Sequence, residues 1–360
     1  MCFKSIGALA WVTMRILFVL VVLLFVASCM QTRYVIQAGI GQAELWGVAR
    51  PIDEVIADPT TDPRTRVLLQ ESQIIMRFAK ERGLQRKGNY EEFVEIDRGQ
   101  VVWFMAAAKP LQLEAEVWNF PLVGSFPYLG WFDKKEAMHI RRRLKKQGLD
   151  VYVRPVHAYS TGGWLDDPIL STMLSSQDDA FRYLTNILIH ELTHANLLVN
   201  DQATLNESIA SFVGDTMADE YLVWRFGADS EEVLLYREEA SDSLERGKRF
   251  VEIYEELEKL YASDKSDREK LVTKARITRS LQYELDLSWQ PNNASLLGFK
   301  VYNTGQEEFA ALYKACGHRW APFFAAIKSL ELSDFKEEQL EEIDEVIHKL
   351  QPRCRDLTHQ

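Results

Sequence analysis

Apolar residues recur along this chain in two periods, and the period changes with position. Residues 51–57 and 64–82 carry them at helical spacing. Val101-Val102-Trp103-Phe104-Met105 and Val151-Tyr152-Val153 are short β-branched and aromatic runs, which read as strands. Residues 122–132 combine proline, glycine and aromatics and read as a hairpin. From residue 229 onward nearly everything is helix. Residues 230–261 and 266–285 form a long helical hairpin joined by Ala262-Ser263-Asp264-Lys265, and residues 309–330 and 338–350 add two more helices. The predicted class is α+β and helix-dominated. A sheet-containing part (34–170) comes first, two central helices follow (176–226), and a helical part (229–351) ends the chain.

The first central helix carries the most informative pattern. Ser176 is placed to cap it, and Asp178 and Asp179 sit in its first turn, where the helix dipole favours negative charge. Phe181, Leu184, Ile187 and Leu188 precede the pattern, and Leu197, Leu198 and Val199 follow it, so the helix is apolar around most of its circumference. Within that surface lie His190, Glu191 and His194, an H-E-x-x-H arrangement. Residues four apart share a helix face, so both imidazoles can reach one metal ion with Glu191 beside them. Buried without partners, these three side chains would be costly, and a metal would supply the partner.

A third ligand is expected if the first two are real. Asn200 and Asp201 form a turn, Thr204 can cap a second helix, and Glu207 then faces the first helix from its antiparallel neighbour. Ala210, Ser211 and Gly214 are small enough to let the two helices approach closely. Two His and one Glu, with a fourth position for water, is a standard catalytic Zn2+ set. Metal-bound imidazoles need an outer acceptor, and Asp215 and Asn206 are the candidates.

These motifs resemble the glutamate-zincin metallopeptidases, which carry N-E-x-x-A on the helix after H-E-x-x-H. More closely, the chain resembles a family of bacterial envelope proteins described as aminopeptidases. The similar segments are QAGIGQAELW, RPIDEVIADP and RFAKERGL, then WNFPLVGSFPYLGWF, AYSTGGWLDDP, HELTHANLLV, LNESIASFVGD and NNASLLGFKVY. The resemblance implies a zinc peptidase with His190, His194 and Glu207 as ligands and Glu191 as base. One departure stands out: several of the broader group place an Asp four residues after the ligand Glu, where this chain has Ser211.

The N-terminus bears on compartment. Lys4 and Arg15 precede the apolar run 16–27, which suits a signal segment and is short for a membrane-spanning helix. Val26-Ala27-Ser28-Cys29 resembles a bacterial lipobox. On that reading residues 1–28 are removed, Cys29 is lipidated, and residues 29–360 are a catalytic body tethered to the membrane. Met30 in place of Asp points to the outer membrane, facing the periplasm. Cys316 and Cys354 remain, and in an oxidising compartment they can pair, although spacing does not show that their Cβ atoms meet. The formal net charge is −11. With no basic patch interleaved with aromatics, nucleic acid is excluded as a partner. The cluster Arg141-Arg142-Arg143 with Lys145 and Lys146 reads as the solvated face of an amphipathic helix with Met138 and Leu144 on its buried side. Oligomeric state has no signature here.

The expected reaction is peptide-bond hydrolysis, with Glu191 taking a proton from water and returning it to the leaving amine. Tyr302, Tyr159 and His157 are candidate donors to the tetrahedral oxyanion. Ser160, Gly162 and Gly163 lie in a segment suited to pairing with an extended substrate. Asp166 or Asp167 would suit a free α-ammonium. An envelope zinc endopeptidase and a non-catalytic zinc-containing scaffold are the competing functions.

Overall fold

The computed structural model describes residues 30–120, 124–161, 165–175 and 177–358. The predicted signal segment, Cys29, the Ser176 cap, Gly162 and Gly163 lie outside the described residues.

The chain opens with α1 (Met30–Val48), β1 (Arg50–Pro51), α2 (Ile52–Ala57) and α3 (Pro63–Glu81). Asp62 caps α3, its carboxylate accepting from the Thr65 amide at 2.9 Å, and Pro63 occupies the first helical position. Next come β2 (Glu92–Val94), β3 (Val102–Ala108), β4 (Trp118–Phe120), β5 (Gly124–Phe126), β6 (Tyr128–Trp131), α4 (Lys134–Lys146), β7 (Asp150–Val156) and β8 (Ile169–Leu170). Helices fill the rest: α5 (Ala180–Asn196), α6 (Ala203–Phe226), α7 (Glu231–Ala262), α8 (Asp267–Glu284), α9 (Asn293–Asn303), α10 (Gln306–Ala315), α11 (Trp320–Lys328), α12 (Asp344–His348) and α13 (Leu350–Thr358). The α+β, helix-dominated class is what the structure has.

The strands form three small sheets rather than one: β1-β2-β8, β6-β3-β7 and β4-β5. The hairpin expected at 122–132 is displaced. β4 pairs with β5, and β6 leaves that pair to join β3 antiparallel. Side chains alternate across β6-β3-β7 and give it two different faces. Met105, Leu129, Trp131 and Val151 pack on Ala137, Ile140 and Leu144 of α4. Phe104, Ala106 and Ala108 on the other face pack on Ala294 and Leu297 of α9. That second face also looks toward α5 and α6.

Four boundaries differ from the sequence pattern. α5 begins at Ala180 after Asp179, whose side chain makes no cap hydrogen bond but accepts from the Ser175 hydroxyl at 2.5 Å. α6 begins at Ala203, so Thr204 is inside the helix; Gln202 occupies the cap position but spends its amide on Glu337 and Leu340. The helix expected over 309–330 breaks at Gly317 and His318, both at positive φ, between α10 and α11. The helix expected over 338–350 forms only from Asp344, because Gln339 adopts φ 54° and is drawn into contacts with the 200–203 turn.

Cys316 and Cys354 are joined as a disulfide with Cα atoms 5.0 Å apart, both buried, tying α10 to α13.

Candidate metal and catalytic site

α5 and α6 run antiparallel through the main core, and their contact is made close by small residues. A Cβ on Gly214 would stand 3.3 Å from the Cβ of His190, so glycine lets α6 approach the face of α5 that carries His190. The turn between them is pinned from several sides. Asn206 accepts from the Val199 amide and donates back to its carbonyl, each at 2.8 Å. Asp201, at φ 57°, accepts from the Ser125 amide at 2.7 Å, and its carbonyl accepts from the Gln339 amide at 2.7 Å. Gln339 also accepts from the Ala203 amide at 3.1 Å. Asn206 therefore fixes the turn that presents Glu207.

The three predicted ligands converge. The Nε2 atoms of His190 and His194 are 3.2 Å apart, and each is 3.6 Å from Oε2 of Glu207. Donors held about 2.0–2.2 Å from one tetrahedral ion stand roughly 3.3 Å from each other. The spacing and the donor types therefore fit a divalent metal, and His190, His194 and Glu207 form a group able to hold one. Burial alone would raise the Glu207 carboxyl and lower His194. Their mutual attraction outweighs it, holding Glu207 well below the usual carboxylate range and pushing His194 up to about 9. Glu191 is buried beside them. Its carboxyl is raised by desolvation, against the pull of the two histidines.

Two tyrosines close on Glu207. The Tyr128 hydroxyl, from β6, donates to Oε1 at 2.6 Å. Tyr302, from α9, is buried within electrostatic reach of this carboxylate, and its ring lies 6.5 Å from the His190 ring. Burial first, then the charge of Glu207, raises both phenols, so both stay protonated donors at neutral pH. Tyr183 lies two turns before His190 on the same α5 face. Burial, then the charges of Glu191 and Asp179, push it up to about 12. Tyr183 borders a cavity of about 570 Å³ whose lining includes His157, Arg64 and Arg98.

The remaining candidates are placed as follows. Asp215 accepts from the Asn186 amide at 2.7 Å; burial raises its carboxyl, and the Asn186 hydrogen bond and the charge of His190 lower it. Tyr159 packs edge-on against Phe132, ring centroids 5.2 Å apart. Ser160 and Thr161 donate to Asp167, and Asp167 receives no hydrogen bond at its other carboxylate oxygen. Asp167 is 2 % exposed, and burial raises its carboxyl to about 6. Tyr128 and Tyr183 are the site residues that sequence reasoning missed. Tyr183 carried a usable signal, its seven-residue spacing from His190; Tyr128 depended on a strand register no local pattern shows.

Two helices thus bring together a His-His-Glu cluster that could hold a metal and a buried glutamate beside it. A family model described as "Putative aminopeptidase" matches residues 33–342, and the chain belongs to that family, which supports a peptidase. No curated protein and no solved structure matches the chain.

Proposed function

We propose that the chain is a zinc-dependent aminopeptidase of the bacterial cell envelope, lipid-anchored through Cys29 and facing the periplasm. The observation that carries the catalytic reading is the convergence of His190, His194 and Glu207 at distances a tetrahedral ion would bridge, with Glu191 buried alongside. When bound, zinc there supplies Lewis acidity, acidifying a coordinated water and polarising the scissile carbonyl.

The protein's own groups do the rest. Glu191 accepts a proton from the attacking water and delivers it to the leaving amine. Desolvation suits it to the task, because a raised carboxyl holds a proton more readily at neutral pH. Tyr302, neutral and beside His190, is the donor for the tetrahedral oxyanion. Tyr128 is committed to Glu207 and orients the ligand. The lipobox-like run ending at Cys29 supports export, and the Cys316–Cys354 disulfide suits an oxidising compartment.

The test is metal content and peptidase activity of residues 29–360. Purified protein should hold about one zinc per chain and lose it in Glu207→Ala. Glu191→Gln should keep the metal and lose cleavage of amino-acid amides. Full activity in Glu191→Gln would refute the mechanism. Cleavage of an N-acetylated peptide as fast as the free one would make the enzyme an endopeptidase.

A further inference from the structure

Strand register places one more charged side chain at this site. In the β6-β3-β7 sheet, Phe104 is paired with Gly130 on one side and Arg154 on the other; Ala106, two residues along the same face, is paired with Tyr128 and Tyr152. Arg154 and Tyr128 thus share a sheet face, and Tyr128 reaches Glu207 from it. The Phe104 ring is the common shelf. It stacks on Tyr128 at 5.2 Å, and the Arg154 guanidinium carbon lies 4.9 Å from its centroid.

Arg154 is half-buried, yet among the described residues it has no hydrogen-bond acceptor and no ion-pair partner. Two other arginines withdrawn from solvent, Arg182 and Arg82, are committed to carboxylates. Arg182 holds Glu232 and Glu239, and Arg82 holds Glu220. A guanidinium kept partly from water without an acceptor is unfavourable in the free protein, and a ligand that supplies the acceptor recovers the loss. Arg154 also sits within electrostatic reach of two phenols that bracket the catalytic residues. At both Tyr302 and Tyr183 burial and carboxylates oppose ionisation, and Arg154 favours it.

We infer that Arg154 is a substrate-binding residue that grips a carboxylate on the leaving-group side of the scissile bond. The side follows from charge. A peptide with a free α-ammonium is repelled at its amino end by a fixed guanidinium, so its carboxylate end must lie toward Arg154. A planar fork also matches a carboxylate with two parallel hydrogen bonds, which a peptide carbonyl cannot accept. The carboxylate has two sources: the C-terminus of a short peptide, or an acidic side chain just after the cleaved bond. Either way the enzyme selects its substrates through Arg154 and favours small, anionic leaving groups. This rests on the peptidase reading above.

The experiment compares three substrates, Leu-Ala, Leu-Ala-amide and Leu-Asp-amide, on zinc-loaded wild type, Arg154→Ala and Arg154→Lys. Wild type should favour a carboxylate-bearing substrate over Leu-Ala-amide on the order of tenfold to a hundredfold in kcat/KM, the span of a charge-assisted bidentate contact. Arg154→Ala should level that ratio mainly through KM while keeping turnover of Leu-Ala-amide, and Arg154→Lys should keep part of the preference. A preference for Leu-Ala names the C-terminus as the source; one for Leu-Asp-amide names the side chain. Calorimetric binding of the same ligands to Glu191→Gln, with and without Arg154→Ala, reads the contact without catalysis. No carboxylate preference in wild type, or an equal loss on all three substrates in both Arg154 variants, overturns the inference. Calorimetric preference without hydrolysis of any substrate would leave the Arg154 site standing and sink the peptidase reading instead.

Discussion

Tyr128→Phe removes one oxygen from the site and little else. The Phe104–Tyr128 ring stack at 5.2 Å survives the change, so packing of the sheet face is retained. What disappears is the 2.6 Å hydrogen bond that fixes Oε1 of Glu207 and leaves Oε2 turned toward the histidines. A hydrogen bond to a charged group contributes about 1.5–3 kcal/mol, and loss of an outer partner typically weakens metal binding ~10–100-fold. Tyr128 is the side chain that hydrogen-bonds Glu207, so a loss of roughly 10–100-fold in zinc affinity is expected. Competition with a chromophoric chelator at pH 7 measures it directly. Thermal unfolding of the metal-free variant serves as control, because the proposed effect is on ligand orientation. An affinity within about twofold of wild type would show that Tyr128 does not position the ligand. A kcat loss far larger than the affinity loss would move Tyr128 from a positioning role to that of oxyanion donor.

Two further outcomes follow from other buried groups. Asp167 titrates at about 6 in the folded chain, against 3.8 as its ordinary value, because burial outweighs the Thr161 and Ser160 hydrogen bonds. The folded state therefore binds the extra proton between those two pH values, and stability should fall as pH rises from about 4 to about 6, then level off, for a total of about 3 kcal/mol. Asp167→Asn should lack that slope in denaturant melts taken across the range; parallel curves for the two proteins would refute the assignment. Replacing Cys316 and Cys354 together by serine opens a loop of sequence separation 38, and the loop-closure relation gives about 4 kcal/mol of lost stability. Urea midpoints check this, and a difference below about 1 kcal/mol would mean the cross-link barely constrains the unfolded chain.

The sequence disclosed the site better than it disclosed the frame around it, and the reason is range. His190, Glu191 and His194 are related by a helical repeat, so their shared face follows from periodicity alone. Glu207 needed one further step, a tight turn, and Asn200-Asp201 advertised it. The clamps that hold that turn, Ser125 and Gln339, come from 76 residues before Asp201 and from far beyond it, and nothing local marks either residue. The same distance explains the lost helix near residue 338: the apolar spacing favours a helix, but Gln339 instead adopts φ 54° and serves the 200–203 turn. At residues 309–330 the cause is local: Gly317 and His318 adopt positive φ and end one helix, although apolar residues continue at helical spacing on both sides. Asp167 shows a third kind of limit. In sequence it is one of two adjacent acids suited to an α-ammonium, and only burial together with the Ser160 and Thr161 donors reveals a carboxyl shifted by its surroundings.

Tyr128 and Arg154 were invisible for a reason particular to sheets. A one-residue slip in either pairing with β3 would carry each side chain to the face packed on α4. Their approach to the site is therefore decided by register, and register is decided by which residues bury well on the opposite face. Met105, Leu129, Trp131 and Val151 do so against Ala137, Ile140 and Leu144. The apolar side of the sheet thus selects the chemistry of the other. A polar substitution at buried Trp131 or Val151 threatens the register that aims Tyr128 and Arg154, although neither position lies on the metal-site face.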